Sequence, residues 1–171
     1  ALIKQNVVDL TILGNKETVV SAMKRLNLSM DLEKVKIVNP ATSDRFDDYA
    51  NTLYELRKHK KVTMEMARDL MQDVSYFGTM MVYKGEADGM VSGAVHTTQH
   101  TIRPALQFVK TKPGVETVSS VFFMCLPNRV SVFGDCAVNP NPTSEQLADI
   151  AISSAETSKM FGIEPKIAML S

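Results

Sequence analysis

The sequence predicts an α/β fold in two parts. Short apolar runs of strand character alternate with segments whose apolar residues recur every three or four positions, as expected of helices laid on a sheet. A helix stop combined with a turn signal, Lys112-Pro113-Gly114, then separates this alternation from a stretch rich in β-branched and aromatic residues. With 171 residues, 44% of them hydrophobic, the chain is long enough for one sizeable core or parts of two domains. The predicted domains are residues 1–113 and 114–171.

Each element has its own signal. Residues 7–13, VVDLTIL, read as a buried strand closing at Gly14-Asn15, and residues 17–26 follow with apolar positions at helical spacing. Residues 35–38 form a short second strand stopped by Asn39-Pro40. Ser43-Asp44 signals the start of a helix over 46–61 that sets Tyr49, Leu53 and Leu56 on one stripe and ends in the basic run Arg57-Lys58-His59-Lys60-Lys61. Thr63 opens a further helix through Met71, and the apolar pattern continues over 74–83 to the turn Lys84-Gly85. A strand is expected at 89–95 and a helix at 104–109, with Pro104 in its first turn.

Beyond Pro113-Gly114, residues 118–124 and 130–133 flank Leu126-Pro127-Asn128 as an antiparallel hairpin. Gly134-Asp135 and Asn139-Pro140-Asn141-Pro142 make a loop. Thr143 and Gln146 fit a capping box, and Leu147, Ile150, Ala151, Ser154 and Ala155 trace one face of a helix that stops near Gly162. Residues 166–170 read as a last strand. Such a strand needs a following crossover and neighbours to cover it, so the chain is expected to be a fragment.

Composition removes several function classes. Nineteen basic and nineteen acidic side chains leave no bulk charge to attract nucleic acid or an anionic membrane. No apolar run has the length of a membrane span, and no leader pattern opens the chain, so a cytoplasmic protein is expected. Cys125 and Cys136 suit neither a CxxC redox pair nor a zinc ligand set and are expected to be free, packed thiols. His96 and His100 lie four apart, but a metal needs them on a helix with a third ligand, and Thr97, Thr98 and Thr101 make a poor helix interior; no metal is expected. Gly85, Gly89 and Gly93 match no nucleotide-binding fingerprint. The eleven methionines read as adaptable core.

One segment concentrates chemistry. In ADGMVSGAVHTTQHTIRPALQFVK, residues 87–110, Gly89 and Gly93 allow close approach to the backbone, while Ser92, Thr97, Thr98 and Thr101 offer hydroxyls. Arg103 stands just before Pro104. Where a strand hands over to a helix, these residue types can hold a phosphate or acyl phosphate through side chains, backbone N–H groups and the helix dipole.

The same residues carry a family resemblance. The strings YELRKHK, ADGMVSGAVHTTQHTIRPALQ, SSVFFM, GDCAVNPNPTSEQLADIAI and FGIEPKIAMLS make the chain similar to the phosphate acetyltransferases (phosphotransacetylases) along essentially its whole length. The resemblance implies reversible transfer of an acetyl group between acetyl phosphate and coenzyme A, with orthophosphate as the other partner. Coenzyme A is then a substrate, and no permanently bound cofactor is implied. It also implies a three-layer α/β/α fold like that of isocitrate and isopropylmalate dehydrogenases, two domains with the second incomplete here, and a homodimer. By residue, Arg103 matches an active-site arginine and Arg57 an arginine thought to meet a coenzyme A phosphate, while Ser92, Gly93, Thr97 and Thr98 fall on the substrate-binding wall. The family's DLSRG-type segment, with its serine and second arginine, and a downstream aspartate proposed as base have no counterpart among these residues. A butyryl-transferring relative, or a non-catalytic acetyl-CoA-binding regulatory domain, are the alternatives that the resemblance leaves open.

Overall fold

The computed structural model describes residues 2–170 and contains two compact units, Ala1–Lys110 and Thr111–Ser171. In the first, a short helix α1 (Leu2–Gln5) precedes strand β1 (Leu10–Leu13). Helix α2 (Lys16–Arg25) then leads to strand β2 (Val35–Val38), which pairs with β1 in parallel, Leu10 opposite Val35 and Leu13 opposite Val38. Parallel pairing requires a crossover, and α2 supplies it. Asn15 starts α2 by accepting the Thr18 N–H on its side-chain oxygen at 3.1 Å. The first strand is shorter than the apolar run suggests because its register with β2 begins only at Leu10.

Three helices build the core of this unit. They are α3 (Phe46–Arg57), α4 (Met64–Met71) and α5 (Val74–Tyr83). Tyr49, Ala50 and Leu53 from α3, Ala67 and Met71 from α4, and Tyr76, Phe77, Met80 and Met81 from α5 form one buried cluster, joined by Phe108. Leu13 and Val38 at the ends of the strands pack against it. Thr63 and Asp73 cap α4 and α5, Asp73 accepting the N–H groups of both Ser75 and Tyr76. The basic run after α3 tightens into a 3₁₀ turn, Lys58–Lys60, and Lys61 ends it in the left-handed region at φ 63°.

The segment after α5 differs from the expectation. Residues 89–95 form no strand and run as loop and turn. The helix starts earlier, α6 spanning Thr98–Pro104, so Pro104 is its last residue and not its first turn. Thr97 accepts the His100 N–H at 3.2 Å and caps the helix, an N-cap signal that outweighs the weak interior propensity of the threonines. Pro104 brings no N–H to the ladder, and the chain continues as a wider π-type turn, Ala105–Val109, closed by the Lys110 N–H on the Ala105 carbonyl at 2.9 Å.

The second unit is a hairpin and a helix. Strands β3 (Val121–Leu126) and β4 (Arg129–Gly134) pair antiparallel across a two-residue turn, Pro127-Asn128, with Val121 opposite Gly134. Helix α7 (Ser144–Met160) has the complete Thr143–Gln146 capping box and buries Ile150 and Ser158. Residues 163–170 are irregular and Leu170 is exposed, so the expected strand at 166–170 is not formed; no neighbouring strand pairs with it among the described residues. The cysteines are free, but Cys125 is exposed, not packed: it shares the face of Val121 and Phe123, yet lies at the turn end of β3, where Met124, Cys125 and Leu126 are all exposed. Cys136 is half-buried, and its S–H donates to the Ser120 hydroxyl at 3.1 Å.

Asp135 organises the loop between β4 and α7. Its carboxylate accepts from the Ser120 N–H and O–H, the Val138 and Asn139 N–H groups and the Asn139 side-chain amide. Burial alone raises its pKa, but the hydrogen bonds from Ser120 and Asn139 outweigh that and hold it well below the ordinary carboxylate range. A depressed folded-state pKa means that its stabilisation is complete above the unfolded value near 3.9 and fades as pH falls through the folded one. Asp135→Asn is therefore expected to lower unfolding free energy by about 1–2 kcal/mol at neutral pH and to flatten the loss of stability below about pH 4. Urea unfolding followed by circular dichroism at pH 7 and at pH values below 4 measures this; equal acid sensitivity of the two proteins would remove the role.

Candidate functional site

Arg57 is the last residue of α3, where a cation complements the negative end of the helix. Its Nη1 donates to the Gln107 carbonyl at 3.3 Å, across fifty positions of sequence. That carbonyl belongs to the middle of the five-residue π-type turn, within the last four residues, whose acceptors have no partner inside the helix. The Nε of Arg57 is buried and makes no hydrogen bond. Part of its donor capacity is thus spent on holding the fold and part is left over.

Arg103 sits in the last turn of α6 and is exposed. This changes the electrostatics expected from the sequence: the helix dipole at Arg103 is its negative end, which favours the guanidinium itself and gives no help to an anion there. Arg103 must act through its own charge and hydrogen bonds. Tyr76 is 3% exposed, and its hydroxyl donates to Gln107 Oε1 at 3.0 Å. Burial raises the Tyr76 pKa, and the positive charges of Arg103 and Arg57 both oppose that rise, which places the phenol within electrostatic reach of both side chains.

The remaining expected residues occupy the loop and helix start before Arg103. Ser92 is exposed in the loop, and Gly93 has φ 131°, a backbone conformation that disfavours a side chain even though the space around it is open. Thr98 is the exposed first residue of α6, and Thr97 uses its hydroxyl oxygen as the cap. His100 Nε2 lies 3.1 Å from Asp73 Oδ2, and its ring stacks on His96 with ring centres 4.6 Å apart. Asp73 thus ties the start of α5 to α6 with one carboxylate. Among the described residues no group of three His, Cys, Asp or Glu side chains is placed to share a metal ion, and no helix is long and apolar enough to cross a membrane.

Sequence reasoning missed Tyr76, Gln107 and Asp73. Asp73, just before the apolar run that starts α5, carried a readable N-cap signal. Gln107 had none, since its partners lie thirty-one and fifty positions away. Two concavities in the first unit, a groove of about 600 Å³ beside Phe46, Met64 and Arg68 and a cavity of about 330 Å³ beside Val38, Tyr49 and Phe77, are lined by other residues.

The family profile described as phosphate acetyl/butaryl transferase matches residues 1–171. The chain belongs to this family. A phosphate acetyltransferase of Synechocystis sp. is 61% identical over 100% of the chain and 24% of its own length, and one of Nitratidesulfovibrio vulgaris is 59% identical over 99% and 24%. Among solved structures, a phosphotransacetylase from Streptococcus pyogenes superposes with a TM-score of 0.88 at 46% identity, covering 99% of this chain and 51% of that one. The corresponding Staphylococcus aureus structure gives 0.85 at the same identity and coverage. The chain thus spans about a quarter of the length of the first two relatives and about half that of the solved structures. At this similarity the mixed helix-and-strand fold is that of the phosphotransacetylases.

Proposed function

We propose that a protein of these relatives' length carrying this chain is a phosphate acetyltransferase, interconverting acetyl-CoA and orthophosphate with coenzyme A and acetyl phosphate. The observation that carries the reading is 61% identity to a phosphate acetyltransferase over every residue of the chain. The link from Arg57 through Gln107 to Tyr76, and the exposure of Arg103 four residues before Gln107, are consistent with the roles given to them.

In this reading both substrates meet in one ternary complex. The coenzyme A thiolate attacks the acetyl carbon, the bond from that carbon to the phosphate oxygen breaks, and orthophosphate leaves with the bonding pair. A thiol of pKa near 8.5 is only a few per cent thiolate at neutral pH, so a base takes its proton. The resemblance assigns that base, and a second arginine, to family positions without counterpart among these residues. Arg103 stabilises the charge growing on the phosphate through paired N–H donors, a geometry that lysine does not reproduce. Arg57, half-buried and with Nη N–H groups beyond the one held by Gln107, meets a phosphate of the coenzyme. Ser92, Gly93, Thr97 and Thr98 complete the wall between them. The same reading includes the dehydrogenase-like three-layer architecture, a homodimer and a cytoplasmic location.

The test is a thiol-consumption assay on the full-length protein with coenzyme A and either acetyl or butyryl phosphate, beside calorimetry of the 171-residue chain with coenzyme A. Faster turnover of acetyl phosphate is expected. Preference for butyryl phosphate would move the protein to the other activity in the family's name, and binding of coenzyme A without turnover would make it a regulatory domain.

A further inference from the structure

Gln107 makes two contacts of different kinds from one position. Its backbone carbonyl accepts from Arg57 at the end of α3, and its side-chain oxygen accepts from Tyr76 on α5. It lies four residues beyond Arg103 on the same helical stretch, past a Pro104 that is buried and therefore anchored. The stretch turns there with π-type winding, a form that in helices marks functional sites more often than chance. The Tyr76 ring packs near Phe108 independently of its hydroxyl, with ring centres 6.5 Å apart. The hydroxyl itself is not needed for that packing, and its one described partner is Gln107.

We propose that Tyr76 and Gln107 are positioning residues for Arg57: their hydrogen bond fixes the π-type turn so that the Gln107 carbonyl holds one Nη of the half-buried Arg57 guanidinium and leaves its remaining Nη N–H groups for the coenzyme. The inference rests on the reading of Arg57 as a coenzyme A contact. A buried tyrosine hydroxyl that lost its acceptor, or an amide oxygen that lost its donor, would leave an unsatisfied polar group, and the turn would shift to relieve it. Movement of the turn displaces the Gln107 carbonyl and frees Arg57 to swing. The effect falls on coenzyme affinity and not on the chemical step.

Tyr76→Phe and Gln107→Met keep the shape of each side chain and remove the bond. In the full-length protein each is expected to raise KM for coenzyme A about five- to tenfold while kcat changes less than about twofold. The double variant should be no worse than the worse single one, since both changes break one interaction. Unchanged KM in both variants, multiplying effects in the double, or a fall in kcat and melting temperature together at constant KM would each overturn the proposal. Should Gln107→Met fail to fold, Tyr76→Phe decides alone on KM. Arg57→Ala runs beside them: if it leaves KM for coenzyme A unchanged, the underlying reading of Arg57 fails, whereas a raised KM there with normal Tyr76→Phe and Gln107→Met overturns the positioning role only.

Discussion

Replacing Arg103 with alanine is expected to lower the turnover number for acetyl transfer by roughly 10²–10³ in a full-length protein carrying this chain, the usual cost of removing one preorganised oxyanion donor. Arg103 is exposed on the last turn of a seven-residue helix, so its side chain holds little of the fold together. Surface substitutions of this kind change stability by no more than about 0.5 kcal/mol. The loss of rate therefore separates cleanly from any loss of folded protein. Arg103→Lys keeps the charge but not the planar fork, and it should recover only a small part of the activity. Thiol-consumption kinetics on the two variants, with melting curves alongside, make the measurement. A turnover number for Arg103→Ala equal to that of the parent protein would sink the assignment.

The same residue shows how far local pattern carries. Placing Arg103 ahead of a helix starting at Pro104 credited the site with a helix N-terminus; the fold puts Arg103 at a helix C-terminus instead. Proline is at home in a first turn, but it is also tolerated where the ladder changes its winding, and no neighbour in sequence distinguishes the two. Strand readings failed for a related reason. Residues 89–95 and 166–170 have apolar character, yet a strand exists only where a partner accepts its hydrogen bonds, and pairing is non-local. Helices with strong local signals were legible: the stripe Tyr49 and Leu53 in α3, the Thr63 cap of α4, and the Thr143–Gln146 box of α7 each fix an end or a face within a few residues. Arg57 and Arg103 enter the candidate site through family resemblance alone. The Tyr76–Gln107 bond that links their surroundings joins two helical stretches and leaves no mark on either alone.

Phe77→Ala should be among the most damaging single truncations of the first unit. Phe77 is 1% exposed on α5, and its ring lies 4.9 Å from that of Tyr49 on α3, so it joins the helix that carries Tyr76 to the helix that ends in Arg57. Loss of a buried phenylalanine side chain costs about 3–5 kcal/mol, including the cavity left behind. Against a typical domain stability of about 5–15 kcal/mol, the melting temperature should fall on the order of 10 °C or more. Met66→Ala is the control, since Met66 is 49% exposed on α4 and its truncation should change stability by no more than about 0.5 kcal/mol. Equal melting temperatures for the two variants would show that this core does not carry the stability assigned to it. Tyr76 and Phe77 are adjacent, yet they fail differently. Phe77 faces the cluster that keeps α5 in place, and its loss reduces how much protein is folded at a given temperature. Tyr76 ends in the hydrogen bond to Gln107, and removing its hydroxyl leaves the helix in place while loosening what Arg57 is held against. Well below its midpoint, Phe77→Ala should therefore keep a near-normal KM for coenzyme A, whereas Tyr76→Phe should not.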